Sequence, residues 1–404
     1  MKKILNSLPY TLVFFILWGC SSEKAINLSV KFNDKVSSGR LVEFNNIQDN
    51  NSLKDIIHQP FTVKQGDKEI QSQLFKCPVS GEISLLLYPE PDNNNKIKLM
   101  VGKEPATTFK PMAHAELWKK TGGEWVDRKY IGGEFIEVDS VRLPDECTDH
   151  SFYLKYEGPG WESNLVGYRF YLDWRNANDV FGKKTEDMVL EQVGQDGYDS
   201  YHNMSDWGMD NLKVGKSLGI GSIGYWNGSA AERVAETDSV ISKIISKGPL
   251  RAMIQTDYYG WKTNDFKSSC TSYLSIDANT RLTRQILFME EEVANICTGI
   301  HKDTTCEVIK IAEGEWTAMG TWGKQSLNND MLGLVVIAQS KDIIDFTTDP
   351  DNQVMILKPD NKFVSWYFGA TWESEKYAIK TIDEFKEYIL KELELLNNPD
   401  KVKF

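Results

Sequence analysis

Residues 165–175, LVGYRFYLDWR, alternate large apolar side chains with arginine, tyrosine and aspartate. A period of two marks a β-strand, because successive side chains of an extended chain leave on opposite faces. Tyr168, Phe170, Leu172 and Trp174 then line a face that belongs in a core. Arg169, Tyr171, Asp173 and Arg175 line the other, spaced by about 6.7 Å along the strand. Two guanidiniums and a phenol on one sheet face suit a carboxylate or a sulfate, since guanidinium donates paired hydrogen bonds to planar anions. A solvated face in which Asp173 bridges the two arginines is the competing reading.

The same period recurs outward from this run. SFYLKYEG (151–158), LRAMIQTDYYGW (250–261), SSCTSYLSID (268–277), RLTRQILFME (281–290) and GLVVIAQS (333–340) read as strands. Towards the N-terminus, INLSVKFN, RLVEFNNI, FTVKQGDKEIQSQLF, EISLLLYP and KIKLMVG are shorter runs between Asn, Asp, Gly and Pro clusters. The pattern predicts an all-β chain: a small N-terminal β-sandwich over 27–115, then a large antiparallel β-sandwich domain over 116–404. No βαβ alternation and no fixed internal repeat interrupts it. One helix is expected at 381–396. Thr381 and Glu384 form a capping box, and Ile382, Phe385, Ile389, Leu393 and Leu396 share one side. Its acid-rich polar face suits docking on a sheet better than lying on a membrane.

The first twenty residues, MKKILNSLPYTLVFFILWGC, read as a secretory leader closing in a lipobox, with Cys20 the residue acylated after cleavage. Residues 21–26 would be a tether to the lipid bilayer, which places the protein at the cell envelope. Cleavage removes Lys2 and Lys3, so the formal charge of −12 becomes −12 − 2 = −14. Such a chain has no basic field for nucleic acid. Five cysteines remain, allowing at most two disulfides. Cys297 and Cys306 could staple a hairpin, with buried thiols as the alternative.

The densest chemistry follows in GYDSYHNMSDWGMDNLKVGKSLGIGSIG, residues 197–224. Asp210 to Ser217 nearly matches a phosphate-cradling loop, but Asp210 stands where that loop needs glycine, so the match is rejected. His202 has Tyr201, Asp206, Asp210 and Lys213 within a few residues, and Gly208, Gly215, Gly219, Gly221 and Gly224 permit a tight irregular path. His58, His114, His150 and His301 lack such company in sequence. Trp207 could stack on a sugar ring or pack half-buried.

Residues 157–183 together with 201–224 resemble the signature of a family catalogued as domain of unknown function 4861, with similarity running from RLVEFNNI to SWYFGATWESE. The resemblance implies an exported protein or lipoprotein of glycan breakdown. The family includes a dehydratase acting on oligosaccharides of ulvan, a sulfated polysaccharide of rhamnose and uronic acids. It also implies a large domain similar to the supersandwich of glycan lyases. On that reading the substrate is an acidic oligosaccharide, and Arg169 and Arg175 neutralise the uronate while its C5 proton leaves. His202 is acid or base, with Tyr201 or Tyr171 as partner. Glu162, Asn164, Tyr171, Asp173, Asp206, Trp207, Asp210 and Lys213 are the expected substrate contacts. No cofactor is expected, with a divalent metal left open, and the protein is expected to be a monomer. Three alternatives stay beside this one. They are a polysaccharide lyase, a hydrolase using Glu162 with Asp206 or Asp210, and a surface lipoprotein that only binds glycan.

Overall fold

The computed structural model describes residues 24–33, 39–90 and 96–403. The leader, Cys20 and residues 21–23 lie outside them. The rest of the expected tether is already strand: Lys24–Lys31 pairs antiparallel with Lys96–Val101 from Lys24 onwards. The strand starts early because Ile26 packs against the N-terminal core.

That core lies between a five-stranded sheet, built on Lys24–Lys31, Lys96–Val101 and Phe61–Gln65, and a three-stranded sheet of Val42–Phe44, Ile83–Leu87 and Ser72–Lys76. The run Leu85-Leu86-Leu87 shows how this small unit is mounted. Leu85 and Leu87 face its own core, while Leu86 points the other way, among Phe75, Leu250, Met253 and Tyr273. All three leucines are wholly buried. A strand buried on both faces loses its polar alternation, which is why the segment reads as continuous apolar sequence.

The larger part is built on a nine-stranded antiparallel sheet whose central strands are Arg251–Lys262, Lys267–Asp277, Leu282–Met289, Phe363–Trp372 and Leu332–Gln339. Its inner face carries Ile254, Leu274, Leu334, Val336, Trp366 and Phe368. They meet side chains from two five-stranded sheets, one holding Gly160–Ser163, Val166–Phe170 and Asn178–Lys183, the other Ile296–His301 and Asn352–Leu357. The outer face carries Leu282, Val335 and Ile337 under the helix, and Met253 and Tyr273 under the N-terminal unit. The chain is therefore all-β with a single C-terminal α-helix among the described residues.

The helix spans Ile382–Asn397, and both arms of the Thr381–Glu384 capping box are formed. Phe385, Ile389 and Leu393 are wholly buried against the sheet. Side chains of that size contribute about 1.5–3 kcal/mol each when fully buried. Beyond the helix the chain does not stay with the large domain. Lys401–Lys403 pairs with Ser29–Lys31 of the N-terminal sheet, and Asp400 accepts from the Arg40 guanidinium at 2.5 Å. All five described cysteines are free thiols, so Cys297 and Cys306 make no staple.

The run that opened the sequence reading departs from it at one end. The strand stops at Phe170. Asp173 then accepts from the Arg175 backbone N–H at 2.9 Å, and Asn176 adopts a left-handed φ of 40°. The chain turns back, and Tyr171 N–H donates to Ala177. Trp174, expected in the core, is thrown out at the tip of this turn and is 48% exposed.

Candidate active site

Arg169 is the hub. It projects from Val166–Phe170 and is only 2% exposed. Its Nη2 donates to Asp179 at 2.7 Å, to Asp210 at 2.6 Å and to the Tyr171 hydroxyl at 2.8 Å. Nη1 donates to the Tyr201 hydroxyl at 2.9 Å, and Nε to Asp179 at 3.0 Å. Each partner comes from a neighbouring element for a local reason. Asp179 lies directly across the ladder from Arg169. Asp210 ends Gly208–Asp210, the edge strand of the same sheet. That edge strand can approach because Gly208 has φ of 135°, and a Cβ there would sit 1.8 Å from the Gly182 carbonyl.

His202 closes the front of this network. Its Nε2 lies 3.2 Å from Asp210 Oδ2, the oxygen that also accepts from Arg169, and its side chain is 43% exposed. The hydrogen bond to Asp210 raises the imidazole pKa above its ordinary value, with burial opposing. Behind it, burial and the Asp210 charge push Asp179 up to about 7. Burial also raises Tyr201, keeping it a neutral hydroxyl.

Arg175 joins the same cluster by a second route. Its guanidinium stacks 4.0 Å from the Tyr171 ring centroid, while that of Arg169 lies 4.7 Å from it. Arg175 binds Glu157 at 2.6 Å, Asp173 at 2.5 Å and Asp149 at 2.8 Å. Asp149 in turn holds His150 Nδ1 at 2.5 Å. This cluster thus holds two histidine–carboxylate dyads, and a third, His114–Glu116 at 3.2 Å, lies outside it on the strand Ala113–Glu116. His202–Asp210 and His150–Asp149 are linked through the rings of Tyr201 and Tyr198, with centroids 4.7, 6.5 and 6.0 Å apart in turn.

His150, Asp149, Glu157 and Asp179 join the cluster without any signal in the local sequence pattern. The partners of His150 come from elsewhere in the fold, apart from Asp149 beside it. One signal is visible only in the backbone: His150, Phe152, Tyr156, Glu157 and Asn176 all have φ between 35° and 71°. Left-handed backbone at non-glycine residues is costly and gathers where a fold must aim particular side chains.

The expected roles of the arginines need correction. Neither offers an open donor face: Arg169 is sealed in by Asp179, Asp210 and two hydroxyls, and Arg175 carries three carboxylates. Five carboxylates, Asp149, Glu157, Asp173, Asp179 and Asp210, surround two guanidiniums, an excess of 5 − 2 = 3 before protonation. That balance favours holding and moving protons over capturing an anion. Among the described residues, Asp149, His150 and Glu157 also bring ligand atoms within 4.8 Å of one another, spacing that a divalent cation could use. Arg175 already supplies positive charge to both of those carboxylates.

Several expected contacts lie away from the cluster's open side. Glu162 is wholly buried; it pairs with Lys183 at 2.5 Å and accepts from the backbone of Val189 and Leu190. It can neither bind a sugar nor serve a hydrolase. Asn164 sits at the hairpin tip and braces Asn279. Tyr171 and Asp173 belong to the cluster but are buried in it. Trp207 is half-buried, edge-on to Phe181. Asp206 and Lys213 are exposed. Elsewhere, a cavity of about 920 Å³ opens between the N-terminal unit and the helix. Its Arg251 and Arg281 are committed to Asp277, Glu43 and Glu375. These pairs brace packed elements, and no histidine lines the cavity among the described residues. The Arg169 cluster gathers more titratable side chains in mutual contact than this cavity does, and it is the candidate site.

A family model described as Domain of unknown function (DUF4861) matches residues 40–402. Among solved structures, the chain is similar to a protein in glycosyl hydrolase family 38 from Enterococcus faecalis. Identity is 6% and TM-score 0.43, covering 94% of this chain and 47% of that one. It is also similar to an alpha-mannosidase from Enterococcus faecalis, at 6% identity and TM-score 0.46, covering 94% and 46%. The chain spans about half the length of these structures. No curated protein matches the sequence significantly.

Proposed function

The chain belongs to the DUF4861 family, and we propose that it is a carbohydrate-active enzyme that eliminates water from a terminal uronic acid of an acidic oligosaccharide. The product is a 4,5-unsaturated sugar. The observation that carries this reading is the pair of histidine–carboxylate dyads on one buried arginine–tyrosine frame. Elimination needs a base and an acid held at fixed positions, and positioned groups of this kind each contribute roughly 10²–10⁴-fold.

His202 takes the acid role, because Asp210 stabilises its protonated form. His150, oriented by Asp149, takes the base role. The base removes the C5 proton, and that electron pair becomes the C4=C5 bond. The C4–O4 bond breaks, and the His202 proton completes the departing water. Exchange with solvent then resets both imidazoles. Arg169 and Arg175 fix the dyads in place rather than touch the sugar.

The experiment is mass analysis of uronic-acid oligosaccharides from ulvan after incubation with the protein. Loss of one water without chain cleavage is the expected result. Two fragments, one unsaturated, would make it a polysaccharide lyase, and binding without any product would make it a glycan-binding protein. Replacing His202 by Ala should lower turnover by about 10²–10⁴-fold and leave oligosaccharide binding in place. We further propose lipid anchoring at the cell envelope through Cys20. The variant Cys20→Ala should then move from the membrane fraction to the soluble fraction.

A further inference from the structure

With Arg169 and Arg175 committed to carboxylates, an acidic oligosaccharide must find its cation elsewhere. Arg233 fits that description. It ends the edge strand Ala231–Arg233 and is half-buried. Among the described residues, its side chain donates only to the backbone carbonyls of Ser217 at 3.2 Å and Gly215 at 3.4 Å. No carboxylate lies within ion-pair distance of it among the described residues. Burial holds its guanidinium below the ordinary arginine range, with Asp173 and Asp351 opposing and Arg175 adding to the effect. A half-buried guanidinium with carboxylates near it but none in contact keeps donors available to an incoming anion.

Arg233 does not stand alone. Its guanidinium lies 5.5 Å from the ring centroid of Trp174, the residue that the 171–176 turn throws into solvent. Trp174 thus presents an exposed indole with a guanidinium beside it, an apolar face and a cation side by side. The flanking residues of Trp174 are Asp173 and Arg175, both members of the active-site cluster.

We propose that Trp174 and Arg233 form a subsite for an anionic sugar unit of the substrate. The indole would take the apolar face of the ring and the guanidinium its carboxylate or sulfate. The inference rests on the reading of the protein as acting on acidic oligosaccharides, and it adds the residues that recognise the acid. An indole face supplies rigid apolar area at small entropic cost, and guanidinium supplies bidentate donors for a planar or tetrahedral anion.

The test is titration calorimetry on the His202→Ala protein, so that binding is read without turnover. The probes are an ulvan oligosaccharide and the same oligosaccharide after carboxyl reduction and desulfation. In that background Trp174→Ala should weaken binding of both probes, by about tenfold for the acidic one. Arg233→Gln should weaken only the acidic probe, and Arg233→Lys should restore part of the loss. Thermal unfolding of each variant shows that the fold is kept. The subsite is overturned if the acidic probe does not bind the parent protein, or if both Trp174→Ala and Arg233→Gln bind it within twofold of the parent. Failure of the dehydration assay leaves this result standing, because a glycan-binding protein would use the same subsite.

Discussion

Arg169 illustrates how burial reassigns a side chain that its charge would nominate for ligand binding. A guanidinium wholly removed from water is tolerated only with close counter-charges and satisfied donors, and Asp179, Asp210, Tyr171 and Tyr201 provide them. The half-exposed His202 in front is the group we propose as the acid. Its folded pKa is raised, so its acid form persists to a higher pH than that of a free imidazole. A reaction that uses this acid should lose rate on the alkaline side, along a limb displaced above about pH 6.5. Asp210→Asn removes the stabilising charge and should move that limb to lower pH in a kcat/KM profile. An unmoved limb would assign it to another group. The same sign applies to stability: the His202–Asp210 contribution is present below the unfolded pKa and fades as pH rises through the folded one. Glu162 gives a different residue-scale outcome. Glu162→Ala leaves the Lys183 ammonium buried without its partner, which should cost about 3–5 kcal/mol in urea unfolding at neutral pH. Burial lowers the Lys183 pKa. The deficit should therefore shrink at alkaline pH, where the amine can shed its charge.

At the scale of elements, local pattern and tertiary outcome agree best in the helix. Thr381 and Glu384 predicted its start, and the apolar spacing predicted the docked side; both hold over Ile382–Asn397. Thr381→Ala should cost about 1 kcal/mol, the usual loss for an N-cap hydroxyl. Leu393→Ala, which opens a cavity against the sheet, should cost about 2–5 kcal/mol. Urea unfolding separates the two, and equal losses would contradict the docked geometry. The strand of 165–175 agreed only as far as Phe170. Alternation identified Tyr168 and Phe170 as core correctly, but Trp174 continued the pattern in sequence after the chain had turned. Periodicity carries no information about where pairing stops, since that depends on whether a neighbouring strand still offers donors and acceptors. The ladder with Asn178–Lys183 ends at the pair Phe170 and Asn178, and the turn begins there.

At the scale of the whole molecule, the N-terminal unit and the large sheet share a core instead of hanging on a linker. Leu86 is wholly buried between them, Arg251 spans from Asp277 to Glu43, and Lys401–Lys403 closes the N-terminal sheet from the far end of the chain. Contacts of this kind predict one cooperative unfolding transition. Leu86→Asp buries a charge at the seam and should split it into two transitions by calorimetry, the smaller belonging to the N-terminal unit. A single transition at lower temperature would mean that the remaining contacts suffice to couple the two.

The sequence by itself determined the all-β class, most of the strands, the helix with its cap, and the crowding of Tyr201, His202 and Asp210. SFYLKYEG, expected as a strand, is instead a turn carrying the 3-10 segment Lys155–Glu157. Alternation, capping and local crowding of titratable groups are all properties of neighbours along the chain. Tertiary structure alone decided that His150, Asp149, Glu157 and Asp179 join them, that Glu162 is sealed away, and that Trp174 stands beside Arg233. Those outcomes depend on which strands pair, where a turn ends a ladder, and which charges are left in water. Each is fixed by contacts between residues remote in sequence, and the linear pattern does not encode them one by one.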